Sequence, residues 1–280
     1  MSSEPVARLI TADERDHYAE YGWVFLKGLI DPEAAAALLE RVKKLMGEDG
    51  DADVRVWANK AQGDIDPTKR IYKPYVNPAK DDELLASFAY SDQLGSVAAH
   101  LLGMPVKRWN NEILLKKKVS ANAGWGAATG WHQDLPALPH DKIGRPNLWM
   151  ALNDIPPERG SLRFLNGSNK AGLVTWDREQ HADVFEAVPD LLERFPMGPE
   201  LHYEPGDATV HELPTFHSAQ ANTTDDHRWV YVHTFVRADA RFTGGPSNRV
   251  TGLDLTVGEE FPEDEFALIH EVPASWERDA

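Results

Sequence analysis

The sequence predicts a mainly β fold with flanking α-helices, and two observations carry that expectation. Apolar residues recur at helical spacing up to Gly103, and from Pro105 to about Arg237 they fall instead into short strand-like runs between turns. Helices gathered first and strands gathered afterwards suggest a sandwich or barrel with helices packed on one face.

Thr11 to Tyr21 reads as a helix, with Thr11 as N-cap and Glu14 completing a capping box. Trp23 to Leu29 reads as a strand. Asp31 before Pro32 caps a second helix, in which Leu38, Val42 and Leu45 recur at helical spacing until Gly47. Residues 48 to 80 mix charge, Gly and Pro without a period, as a long loop that closes over a substrate would. Asp81 to Gly103 returns to helix. Val106, Trp109, Ile113, Leu114 and Leu115 then form a β-like run ending at Lys116-Lys117-Lys118, and a loop from Val119 to Gly130 leads into the strand holding His132-Gln133-Asp134. A helical interruption is expected from about Asp177 to Phe195. Arg228 to Val236 alternates as a strand does, so Arg228, Val230, Val232, Thr234 and Val236 share one face, and Trp229, Tyr231, His233 and Phe235 the other.

A chain of 280 residues is an ordinary size for one domain of this class. The expected organisation is a single unit over 1–280: helical support at about 10–103, a strand core at 104–237 and irregular acidic cover at 238–280. With no cysteine, disulfides, thiolate metal sites and cysteine nucleophiles are excluded, and His, Asp and Glu are left to hold any metal. A net charge of −16 argues against broad adhesion to nucleic acid or to an anionic membrane, both of which need Lys and Arg. No apolar run is long enough to cross a bilayer, and residues 1–10 lack the basic start and apolar core of a secretion signal, so a cytoplasmic setting is expected. The oligomeric state is not readable.

Within the strand core His132 and Asp134 stand two residues apart, so on an extended strand both leave one face and can grip one metal ion. A third ligand is then needed, and the segment from Gly206 to His217 offers both His211 and His217. Two His and one carboxylate on one side of an iron, with other positions open, form the ligand set of non-haem Fe(II) oxygenases. Similar donors also hold Zn²⁺ for hydrolysis.

The succession of motifs is more specific than the pair. Trp131-His132-Gln133-Asp134-Leu135, then Leu148 to Asp154, then Gly160 to Ser168, then His217 with Asn222 and Arg228, all preceded by Gly22 to Gly28, resemble the phytanoyl-CoA dioxygenase family of Fe(II)/2-oxoglutarate-dependent oxygenases over about residues 10 to 237. The resemblance implies a double-stranded β-helix, that is a cupin-like jelly roll, with Fe(II) held by His132, Asp134 and His217. His217 is preferred to His211 for its separation from Arg228. The resemblance further implies 2-oxoglutarate as cosubstrate and consumption of O2, with the planar fork of Arg228 on the far carboxylate of 2-oxoglutarate and Trp149 against the cosubstrate. Lys116, or Lys117 in the neighbouring register, resembles a basic residue that adds charge there. Many relatives follow the distal His with Gly and a hydroxyl residue; here His217-Ser218-Ala219 leaves Ser218 to supply that hydrogen bond or leaves it unmade. Related halogenases replace the carboxylate with a small residue, so Asp134 argues for oxygenation.

The implied activity is oxidation, by default hydroxylation, of a small molecule, with release of succinate and CO2. Desaturation, epoxidation and ring closure are open to the same centre, and an acyl thioester or an amino acid is an alternative substrate. Specificity falls to the loops at 48–80, 119–130 and 135–147. The aromatic residues Trp57, Tyr72, Tyr75, Trp125 and Trp131 in or near them, with Gln133 as a contributor, suit an apolar natural-product intermediate. A metal-dependent hydrolase would leave Arg228 unexplained, and a non-catalytic jelly-roll binding protein would leave the intact ligand set unexplained.

Overall fold

Alternation along the strands decides how the molecule is layered. A computed structural model of the chain describes residues 6–56, 72–118, 126–134, 138–174 and 183–271. Its strands are β1 (Trp23–Leu26), β2 (Lys73–Val76), β3 (Val106–Lys116), β4 (Thr129–His132), β5 (Asn147–Ala151), β6 (Leu162–Phe164), β7 (Ala208–His211), β8 (His217–Ala219), β9 (Arg228–Arg237) and β10 (Leu268–His270). The larger sheet runs β1-β7-β5-β9-β3-β10, with β2 also on β3, and the smaller runs β4-β8-β6. All pairings are antiparallel. Strands distant in sequence are thus neighbours in two facing antiparallel sheets, the double-stranded β-helix or jelly roll.

On β9, Trp229, Tyr231 and Phe235 enter a core shared with the helices, whereas Val230 and Val232 join Trp149, Phe164 and Ala219 between the sheets. Helices α1 (Ala12–Tyr21), α2 (Pro32–Met46), α3 (Glu83–Ala89) and α4 (Asp92–Leu102) contribute Tyr18, Leu38, Val42, Leu85 and Val97 to the helix-side core. Each such side chain is worth roughly 1.5–3 kcal/mol on full burial if aliphatic. The capping box of α1 is present: Glu14 N–H donates to Thr11 Oγ1 at 3.2 Å, and Thr11 N–H donates to the Glu14 carboxylate at 2.8 Å.

Several boundaries differ from the sequence reading. The strand read at Trp23 to Leu29 ends at Leu26, β2 lies within the segment read as a loop and joins the large sheet, and β10 brings the C-terminal cover onto β3. β2 was hidden by Pro74, which an edge strand tolerates; among the described residues β2 pairs with β3 alone. The helix expected from Asp81 to Gly103 is two helices, because the Ser91 hydroxyl accepts from Leu94 N–H at 3.2 Å and starts α4 afresh. Of the interruption expected at 177–195, α5 (Val184–Ala187) and α6 (Leu191–Arg194) are described, and its first residues lie outside the described set. Among the described residues no helix is long and apolar enough to cross a membrane.

Candidate functional site

Register in the small sheet, not closeness in sequence, brings the metal-binding residue types together. β4 pairs with β8 so that His132 stands opposite His217, their ring centroids 4.2 Å apart. Asp134 follows β4, with its N–H donating to Leu213 O at 3.1 Å. Asp134 Oδ1 lies 3.6 Å from His132 Nε2 and 4.0 Å from His217 Nε2. One donor atom from each of the three lies within 4.8 Å of the others.

The surroundings fix which atoms face inward. His132 Nδ1 lies 2.8 Å from Gly130 O and His217 Nδ1 lies 3.1 Å from Thr215 O. A carbonyl only accepts, so each Nδ1 carries the hydrogen and each Nε2 keeps its lone pair for a metal. Asn147 Nδ2 donates to Asp134 Oδ2 at 2.6 Å, and Thr234 Oγ1 donates to Asn147 Oδ1 at 2.7 Å. This chain runs from β9 through β5 to the carboxylate. Burial pushes the Asp134 carboxyl up, but His217, His211 and His132 more than reverse that and hold it well below the usual carboxylate range. Burial, then the neighbouring imidazoles, holds His217 well below the usual histidine range. An ionised carboxylate and neutral imidazoles are the forms that bind a divalent cation, so these residues fit Fe(II).

His211, the competing histidine, is brought to the same place by β7. Its Nε2 lies 3.6 Å from Asp134 Oδ2 and its ring centroid 4.3 Å from that of His217. Both of its ring nitrogens are buried without a hydrogen-bond partner among the described residues.

The cluster opens into a cavity of about 250 Å³ between the sheets. At one end Arg228, 3% exposed, donates from Nη1 to Gly160 O at 2.7 Å and holds its guanidinium 5.3 Å from the Trp149 ring. Its Nε is buried without a partner among the described residues, and burial brings its pKa down to about 10. Arg228, Val232 and Thr234 line the cavity together, as strand alternation requires, with Trp149 and Ser218 beside them. The Ser218 hydroxyl accepts from Arg163 Nε at 3.2 Å. His233 leaves the other face of β9 and packs on Tyr231, ring centroids 4.1 Å apart.

Other candidates sit elsewhere. Lys116 is fully buried but does not line the cavity: its Nζ donates to Gln220 O at 2.7 Å, and burial together with the Arg228 charge pushes its pKa down to about 6. Trp131 alternates with His132 and so points away, packing with Leu165, Val184, Leu191 and Phe216. Gln133 is a tie between loops, with Nε2 donating to Gly172 O and Pro214 O, each at 2.7 Å, and Oε1 accepting from Val174 N–H at 2.9 Å. Tyr75 lies in the helix-side core and donates its hydroxyl to Asp81 at 2.8 Å. Tyr72 lines the cavity. Trp57 and Trp125 lie outside the described residues. Glu112, Thr129, Arg145 and Asn147 also line it and were not anticipated. Asn147 was accessible, being two residues before Trp149 on one strand face, whereas nothing local marks Arg145.

Comparison with known proteins follows this geometry. Residues 18–230 match the family model of phytanoyl-CoA dioxygenase (PhyH). The L-proline trans-4-hydroxylase of Streptomyces griseoviridis is 29% identical over 176 residues, a stretch covering 56% of this chain and 64% of that enzyme, slightly under two thirds of its length. Among solved structures, the α-ketoglutarate-dependent carbocyclase SnoK from nogalamycin biosynthesis is similar with a TM-score of 0.74 at 21% identity, over 95% of this chain and 100% of that one. EctD from S. alaskensis, solved with 2-oxoglutarate and 5-hydroxyectoine, has a TM-score of 0.66 at 16% identity, over 96% of this chain and 90% of that one. At these identities the structural likeness establishes the jelly-roll fold.

Proposed function

The chain belongs to the phytanoyl-CoA dioxygenase family of Fe(II)/2-oxoglutarate-dependent oxygenases, and from that premise we propose that it oxidises a small molecule, by default through hydroxylation, using Fe(II), 2-oxoglutarate and O2. The observation that carries this reading is one cavity holding both the His132, Asp134 and His217 cluster and a buried Arg228 with no carboxylate partner among the described residues. His132, Asp134 and His217 hold the iron. Iron and 2-oxoglutarate, when bound, supply the oxidising power for a C–H bond, the cosubstrate being converted to succinate and CO2. The protein's own part is positional. Asn147, itself held by Thr234, fixes the Asp134 carboxylate; the Gly130 and Thr215 carbonyls fix the two imidazoles; Arg228 grips the distal carboxylate of 2-oxoglutarate against Trp149. Burial between two sheets keeps bulk water from His217 and Arg228.

The test is anaerobic. Fe(II) and then 2-oxoglutarate are added to metal-free protein, and the weak visible charge-transfer band of an iron-chelated 2-oxo acid is followed. The band is expected in the wild type, is lost in His132→Ala, and needs at least about tenfold more 2-oxoglutarate in Arg228→Ala, the scale of a lost charge-assisted pair. Iron-loaded protein without the band would sink the reading in favour of a hydrolase or a binding protein.

A further inference from the structure

We propose that Arg145 anchors the substrate through a free carboxylate, so that this enzyme acts on small carboxylic acids, amino acids among them; this rests on the oxygenase reading above.

Two guanidiniums face one cavity, and the cosubstrate accounts for one. Arg228 starts β9, whereas Arg145 lies two residues before Asn147, which pairs with Thr234 six residues further along β9. Six strand residues span about 20 Å, so the two arginines are rooted towards opposite ends of the site, and Asp134, held by Asn147, lies on the Arg145 side. The backbone N–H of Arg145 donates to the buried Glu212 carboxylate at 2.9 Å, and its guanidinium lies 5.6 Å from the Trp109 ring, so its position is defined. Yet among the described residues its side chain makes no hydrogen bond and no ion pair, and its Nε is buried without a partner. Buried Arg249, by contrast, donates to Trp109 O and to Glu265 and pairs with the Glu265 carboxylate. Asp134, Glu112 and Glu212 lie near enough to favour the Arg145 charge, yet none of them forms a hydrogen bond or ion pair with its side chain, and a guanidinium lining a cavity with its donors left over is a receptor for a planar anion. Glu112, accepting from Asn110 Nδ2 at 2.6 Å, adds an acidic wall on the same cavity, which suits an amine on the same ligand.

The experiment uses the full chain loaded anaerobically with Fe(II) and 2-oxoglutarate. Proteinogenic L-amino acids and benzoate are titrated at millimolar concentration, each against its own carboxamide, and displacement of the visible band reports binding beside the metal. At least one carboxylate is expected to shift the band, with its amide weaker by about tenfold or more. Arg145→Met should abolish that preference and Arg145→Lys retain part of it, while both keep the band and the wild-type 2-oxoglutarate affinity. The proposal fails if no carboxylate shifts the band, if acids and amides shift it equally, or if Arg145→Met weakens 2-oxoglutarate as Arg228→Ala does. Absence of the band in the wild type overturns the oxygenase reading and this proposal together, and so is distinguishable from the other failures.

Discussion

His233 and Arg228 share a strand but not a face, and that difference of parity gives them opposite chemistry. His233 is enclosed on the helix side with no partner among the described residues for either ring nitrogen, and burial, with a smaller push from Arg108, takes its pKa down to about 3. His140 is pushed down to about 4 by burial and then by Arg145. Both are therefore neutral in the folded protein at pH 7, whereas in the unfolded chain a histidine titrates near 6.5. Below about pH 6.5 the unfolded state binds more protons, so stability is lost as pH falls from there towards the folded values. Between pH 7 and 5.5 the loss from His233 alone should be on the order of 1 kcal/mol. Urea denaturation at those two pH values checks this: His233→Gln should show a shallower loss than wild type, and parallel losses would refute the assignment. The same parity was legible in the sequence for Arg228, His132 and Asp134, whereas Trp131 and Gln133, read there as pocket residues, pack elsewhere. For Tyr75 and Arg145 it said nothing useful, because which face of β2 is covered by helices, and where the segment before β5 turns, are set by tertiary packing.

Among the secondary-structure elements, α1 meets the connection from β7 to β8 at the carbonyl of one glycine. Gly22 ends α1 at φ +77°, a left-handed conformation that glycine adopts without penalty, and its N–H donates to Tyr18 O at 2.8 Å. Its carbonyl accepts from Glu212 N–H at 2.9 Å and from Thr215 Oγ1 at 2.7 Å. A Cβ at this position would lie 2.5 Å from Asn169 Cγ and 2.6 Å from Thr215 Oγ1. Gly22→Ala therefore combines backbone strain of about 1–2 kcal/mol with a clash at packed neighbours. A destabilisation of at least about 2 kcal/mol is expected in chemical denaturation, together with weaker Fe(II) binding, since residues 212–215 join the strands bearing His211 and His217. A change within about 0.5 kcal/mol, the range of an ordinary surface substitution, would show that the loop relaxes around the methyl group. The helix and its N-terminal cap were legible because capping is local chemistry. The docking of α1 onto this connection was not, since the hydrogen bond from the Tyr18 hydroxyl to Glu212, 2.8 Å long, joins residues 194 positions apart.

For the molecule as a whole, the three side chains proposed to hold the metal join layers that the chain builds separately. His132 and His217 belong to the small sheet, while Asp134 is tethered through Asn147 and Thr234 to the large one. The order of motifs made this fold readable from sequence, but the link between sheets through Asn147 depends on the β5–β9 register, which only the folded chain sets. An ion held by these three residues binds the folded state and not the unfolded chain, so it must raise stability by mass action, by about 2.7 kcal/mol at a hundred times its Kd. For a chain of 280 residues each kcal/mol corresponds to roughly 2 °C in Tm. Anaerobic Fe(II) should therefore raise the Tm of metal-free protein by several degrees, and EDTA should reverse the rise. His132→Ala should lose it. Adding 2-oxoglutarate should give a second increment that Arg228→Ala reduces and Arg145→Met leaves intact, which separates the two arginines without any turnover. An equal Fe(II) increment in wild type and His132→Ala would mean that the ion binds elsewhere on this acidic surface, and the cross-sheet metal site would have to be abandoned.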